Sequence, residues 1–184
     1  MSRKLAIAAT SAAIGLTLGT VAIANASPET VNSQETGFIK ILEIGTDQMG
    51  ADTYHGRNYE FVTFVAKQDV DLTGYVIGDE WAKSHNYEGP CNTYRFTGTL
   101  PGKSDLKLAK DEKVTVFNGR GRSQRFENGA NPATYRLFAN SRRTCGLNGH
   151  YFNNNKDTVF IKALNEDEAF FNWNWRNGYS VKAN

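Results

Sequence analysis

Histidine is scarce in this sequence and cysteine scarcer, and neither falls into a pattern that chemistry needs. The three histidines, His55, His85 and His150, occur singly, outside any H-E-x-x-H or Cys-x-x-Cys setting. Zinc therefore has no support, and each reads as a loop surface residue. No G-x-S-x-G elbow is present, and no segment of the mature chain keeps a 3.6-residue apolar period. A helical layer is not expected. The absence of a fixed internal repeat excludes a propeller or a solenoid. No cofactor or metal is expected either.

A long apolar run occurs once, at the start. Arg3 and Lys4 precede an uncharged stretch from Leu5 to Ile23, and Ala24-Asn25-Ala26 offers small residues for a signal peptidase. Residues 1–26 read as an export signal, with cleavage between Ala26 and Ser27. The alternative is an uncleaved anchor, which the Ala, Thr and Ser content and the cleavage site argue against. The chain after the signal is expected to be soluble and secreted, with no further membrane span.

Removing the signal alters the charge balance. The full chain carries 21 Lys+Arg and 19 Asp+Glu, and the signal takes two bases and no acid, leaving 19 of each. A neutral chain has no strong nonspecific pull on nucleic acid or an anionic membrane; only a local patch supplies one. In an exported protein, Cys91 and Cys145 are expected to form a disulfide, the alternative being two free buried thiols. Such a bridge contributes about 3–4 kcal/mol in the chain-entropy model. It also removes the thiolate that a His85–Cys91 nucleophile would need.

What remains is strand-like. Of the 184 residues 40% are hydrophobic, which suits one domain with a real core and not two. After a polar leader at 27–36, strands are expected at 38–44, 59–67, 74–80, 93–98, 113–119, 134–139, 157–164 and 168–175, with a polar tail at 177–184. These runs are rich in Val, Ile, Phe, Tyr and Thr and are separated by Gly, Asn, Asp and Pro. Val62, Phe64 and Ala66 alternate with Phe61, Thr63 and Val65, and Glu60 is in phase with the first set. Such alternation fits two half-buried sheets packed face to face, an all-β sandwich over 37–176. Long connections at 81–92 and 118–156 each hold one cysteine, so the bridge would tie them together.

The stretch "NYEFVTFVAKQDVDLTGYVIGDEW" at 58–81 resembles the lamin tail domain family in its exported bacterial form. Glu60, Val62 and Phe64 precede the corner Asp71-Leu72-Thr73-Gly74-Tyr75, and Asp79 follows. "LAKDEKVTVFNGRG" (108–121) and "FNNNKDTVFIKALNEDEAFFN" (152–172) are similar to later family motifs. Lys156 stands where the family has glycine, and Thr63 where an acid is common. The resemblance implies an immunoglobulin-like, two-sheet antiparallel sandwich of about eight strands. In the corner, Leu72 is expected to plug the core and Gly74 to take a dihedral closed to other residues. Tyr75 is expected to pack its ring with a wet hydroxyl, and Asp71 and Thr73 to cap nearby amides.

Three groups of residues bear on function. Glu43, Asp47, Asp52 and Glu60, with Glu166, Asp167 and Glu168, supply carboxylates for a glycan hydrolase, but sequence does not set their separations. "NEDE" reads more simply as a solvated hairpin tip. Asp47 and Asp52 lack the ordered spacing of a calcium loop. Trp81, Trp173 and Trp175 fit a sugar platform, yet core packing is the simpler use of the last two. The patch that stands out is Arg120, Arg122, Arg125, Arg136, Arg142 and Arg143, interleaved with Phe126, Tyr135 and Phe138; its only acid is Glu127. Arginine with aromatics suits phosphate backbones and stacked bases. The leading expectation is a non-catalytic secreted interaction or structural module. Behind it stand a binder of anionic polymers, nucleic acid or wall phosphate polymer, through these arginines, and a secreted glycan-active hydrolase.

Overall fold

Strand β3 (Phe61–Ala66) alternates half-buried and buried residues with the period of two that a sheet imposes. Val62, Phe64 and Ala66 are buried, and Phe61, Thr63 and Val65 lie on the opposite face. Around β3 the computed structural model describes residues 33–45, 60–88, 92–129, 131–139, 156–163, 169–174 and 180–182. The remaining elements are β1 (Ser33–Gln34), β2 (Ile39–Gly45), β4 (Val70–Asp71), β5 (Val76–Gly78), α1 (Glu80–Ser84), β6 (Thr93–Arg95), β7 (Lys107–Leu108), β8 (Lys113–Phe117), β9 (Gln124–Asn128), β10 (Asn131–Phe138), β11 (Lys156–Lys162), β12 (Ala169–Asn174) and β13 (Ser180–Lys182).

Among the described residues the fold is all-β apart from α1. One sheet has the order β1-β12-β11-β5-β6, a second β13-β2-β3-β8-β10-β9, and β4 pairs with β7 in a third. The two larger sheets line one buried cluster. Ile41, Phe64, Val114 and Leu137 enter it from the six-stranded sheet, and Ile77, Val159, Ile161 and Phe171 from the five-stranded one. That shared core is the sandwich-like feature of the fold, and burying each large side chain in it contributes roughly 1.5–3 kcal/mol.

Several expectations change. The described residues hold thirteen strands where about eight were expected: β1, β9 and β13 add edges to the two larger sheets, and β4 and β7 pair in a small third one. β1 lies within the expected leader and pairs with β12, while β13 lies within the expected tail and pairs with β2. The sheets are not wholly antiparallel. After β8 the chain crosses to the edge as β9, reverses at Gly129 (φ 66°) and returns as β10 between the two. β10 therefore runs parallel to β8, with Thr134 opposite Lys113 and Phe138 opposite Phe117.

The strand expected over 74–80 stops at Gly78. Asp79 has extended backbone and its Oδ1 accepts the Ala82 amide at 2.7 Å, which caps the five-residue helix α1. The corner behaves as its residues dictate. Leu72 is fully buried, Gly74 has φ 82°, and the Tyr75 amide donates to the Leu72 carbonyl at 3.0 Å. Asp71 Oδ1 accepts both the amide and the hydroxyl of Thr73, at 2.9 and 2.6 Å. Tyr75 is 3% exposed, deeper than a wet tyrosine at a rim.

Candidate functional site

β9 is an edge strand of the six-stranded sheet and carries Arg125, and β10 beside it carries Arg136. In the pair, Arg125 stands opposite Tyr135. Tyr135 points into the core and is fully buried. Arg125 stays on that side, with its guanidinium 5.9 Å from the Tyr135 ring and 2.7 Å from Glu127 Oε1. Arg136, the next residue along β10, faces the other way by strand alternation and is exposed. Its guanidinium lies 4.7 Å from the Phe126 ring, a cation–π contact.

Arg120 and Arg122 are exposed on either side of Gly121 in the crossing from β8 to β9. A Cβ at Gly121 would come within 2.5 Å of the Phe138 ring, so only glycine lets the crossing lie against that ring. Phe138 in turn stacks on Phe117 at 5.1 Å, and Phe117 meets Phe61 at 5.5 Å. The outer face of the sheet thus carries a half-buried aromatic row, with Arg136 one step along and the Arg120–Arg122 crossing at its end. Among the described arginines the patch splits: Arg136 sits on this outer face and Arg125 on the inner side. Arg142 and Arg143 lie outside the described residues. Tyr135, expected among the stacking aromatics, is a core residue instead.

Beneath this edge lies a polar network that sequence reasoning did not single out. Glu112 is 6% exposed. Its Oε1 accepts the Tyr135 hydroxyl at 2.9 Å, and its Oε2 accepts Lys103 Nζ at 2.6 Å and the Ala109 amide at 2.8 Å. Burial pushes the Glu112 carboxyl up, but those three donors outweigh it and hold the group below its ordinary value. Burial alone would lower the Lys103 ammonium; the bonds to Glu112 and Tyr135 leave it raised. Burial, first among the causes, raises the Tyr135 hydroxyl. An ionised carboxylate with its oxygens occupied by donors has no proton to give, so the network ties the 100–112 region to β10 rather than performing acid–base chemistry.

Three more of the described acids are buried, Glu60, Asp79 and Asp157. Glu60 is fully buried and accepts Asn118 Nδ2 at 2.6 Å, which fixes the start of β3 to the end of β8. Asp79 is 2% exposed; burial, reinforced by the charge of Asp157, raises its carboxyl to about 6 despite the Ala82 amide and Asn92 amide it accepts. Of the histidines only His85 is described. It stacks on exposed Trp81 at 3.9 Å, with Nδ1 2.8 Å from the Trp81 carbonyl. Cys91 and Cys145, His55 and His150, Asp47 and Asp52, and Glu166, Asp167 and Glu168 lie outside the described residues, as do the side chain of Trp173 and all of Trp175. Among the described residues no group of three or more His, Cys, Asp or Glu could hold a metal ion, and no helix is long and apolar enough to cross a membrane.

No protein-family model matches the chain, and the curated proteins give no significant match.

Proposed function

We propose that the chain is a non-catalytic β-sandwich module of the immunoglobulin-like lamin tail type, exported after cleavage between Ala26 and Ser27, that works by binding. The observation that carries this reading is the outer face of the six-stranded sheet. A half-buried row of Phe61, Phe117 and Phe138 on that face, with Arg136 on Phe126 beside it, offers contact area and fixed positive charge without a proton donor or nucleophile. The lamin tail assignment draws support from the corner, where Leu72, Gly74 and the Asp71–Thr73 turn take the roles that the resemblance implies.

A second reading names the ligand as an anionic polymer with a phosphodiester backbone, nucleic acid or wall phosphate polymer. Exposed Arg120, Arg122 and Arg136 favour it, since guanidinium beside aromatic rings suits phosphate and base together. Retention of the purified protein on DNA and heparin at rising salt tests it. The Arg120→Ala/Arg136→Ala variant is expected to elute earlier, with the slope of log affinity against log salt reduced by about 2. Arg125→Ala, on the inner side, is expected to elute with the wild type. Unchanged elution of the double variant ends the polymer reading and leaves a module for a protein contact. The mass of the exported protein checks the start at Ser27.

A further inference from the structure

The outer face of the other, five-stranded sheet holds a second cationic feature, assembled from residues far apart in the chain. Lys162 stands opposite Val76 on one side, and Arg95 opposite Val76 on the other. The three form one cross-strand row, so the two cations flank a valine on the same face. Two residues further along that face, Phe160 stands opposite Gly78. Ala82 of α1 and Tyr87 pack over this part, joining Val76 and Phe160 in a second buried cluster. Lys83 comes down from α1 with Nζ 4.0 Å from the centre of the Phe160 ring.

Between the helix and the row is a groove of about 390 Å³, whose lining includes Val76, Lys83, Asn86, Tyr87, Arg95 and Lys162. Among the described residues that line it, three are cations and none is Asp or Glu. The wall that closes it is held in an unusual backbone. Asn86 and Tyr87 are consecutive non-glycine residues in the left-handed region, with φ 54° and 55°. A non-glycine residue is strained there, and it persists only where its surroundings fix it. Here the Tyr87 ring is packed against Gly78, and the Tyr87 carbonyl accepts Arg95 Nη2. The guanidinium is thereby oriented before any ligand arrives, which lowers the ordering cost of binding.

We infer that this groove is a binding site for a phosphate monoester on a compact organic body. Its volume lies at the small end of the roughly 300–1,000 Å³ of ligand pockets, more than a bare oxyanion fills. Its three positive charges favour a dianion over a monoanion. A phosphate monoester carries close to two negative charges above its second pKa of about 6, whereas a carboxylate, a sulfate ester or a polymer phosphodiester carries one. The site is thus distinct in sheet, in residues and in ligand from the arginine-bearing face.

The test is a titration of the full chain with phenyl phosphate, phenyl sulfate and benzoate at about pH 7.5, where the phosphate is a dianion. Amide resonances of Tyr87, Arg95 and Lys162 are followed by NMR. Phenyl phosphate is expected to shift these three saturably and to bind at least about tenfold more tightly than the two monoanions, as an added charge-assisted bond warrants. Lys162→Gln should weaken it about tenfold, and Arg136→Gln should leave it unchanged. If Lys162→Gln fails to fold, Lys83→Gln carries the same expectation. The inference is overturned if phenyl phosphate gives no saturable shift, if the monoanions bind as tightly, or if Arg136→Gln weakens binding as much as the groove variants.

Discussion

The two cationic regions are built in opposite ways. The arginines from 120 to 136 are neighbours in sequence, yet the β9–β10 pairing sends Arg125 to one side of the sheet and Arg136 to the other. Lys83, Arg95 and Lys162 are strangers in sequence, yet the pairing of β6, β5 and β11 beneath α1 brings them into one groove. Clustering along the chain is therefore a poor guide to clustering in space within a sheet, where each step reverses the face. What does converge is set by strand register. The supports differ as well: the arginine edge rests on an ionised, donor-saturated carboxylate, and the groove wall on a carboxyl that burial drives toward neutrality.

The largest expected effect tests the support of the arginine edge. Glu112→Ala removes the acceptor of the Tyr135 hydroxyl, the Lys103 ammonium and the Ala109 amide. Leaving buried donors and a partly buried cation uncompensated is expected to cost about 3–5 kcal/mol. Denaturant unfolding measures it. A midpoint within experimental scatter of the wild type would show that the network does not hold β10 to the 100–112 region.

The next effect concerns the groove wall and is a pH dependence. Asp79 is raised from 3.8 to about 6 by burial, so the folded chain holds a proton there that the unfolded chain has already lost. The fold binds more protons, and its stability falls as pH rises from about 4 through about 6. The span is at most about 3 kcal/mol for a shift of that size. Asp79→Asn keeps an oxygen for the Ala82 amide and removes the charge beside Asp157. Asn92 Oδ1 has no hydrogen-bond partner, so a flip of that amide would let it accept from the new side chain. The variant is expected to flatten the stability profile over this range and to be the more stable protein at neutral pH. An unchanged slope in unfolding midpoints from pH 4 to pH 7 would remove Asp79 as the source.

How much of this was legible in the sequence follows from the length and burial of each element. β3 is legible by its alternation, and the corner by residues whose conformations few others adopt: Gly74 is at φ 82° and Leu72 is fully buried. β9 was missed because an edge strand reading Gln-Arg-Phe-Glu-Asn has no apolar face to announce it. β1 and β13 are too short to carry a period, as is α1, where only Ala82 is buried. The parallel course of β10 depends on where a returning strand inserts, a choice that local sequence does not encode. Glu112 sits among charged residues in "KDEK" (110–113), and its partner Tyr135 lies 23 residues away, so nothing local marks the pair. The arginine patch was legible as composition, and only register revealed that it divides. The groove had no local signature at all.

The smallest of these effects separates the two regions most directly. A Cβ at Gly78 would stand 2.7 Å from the Ala82 Cβ and 3.0 Å from two atoms of the Tyr87 ring. Neither neighbour has room to yield: Ala82 is 1% exposed and Tyr87 8%. Gly78→Ala must therefore lift α1 and the Asn86–Tyr87 turn from the five-stranded sheet, an overpacking cost of about 2 kcal/mol. Lifting the turn moves the Tyr87 carbonyl that orients Arg95 and carries Lys83 away from the row of Arg95 and Lys162. Phenyl phosphate affinity should fall in this variant while heparin retention, which depends on the opposite sheet, stays as it was. A parallel loss of both would mean that the two regions share one structural support. Loss of neither would mean that α1 does not wall the groove.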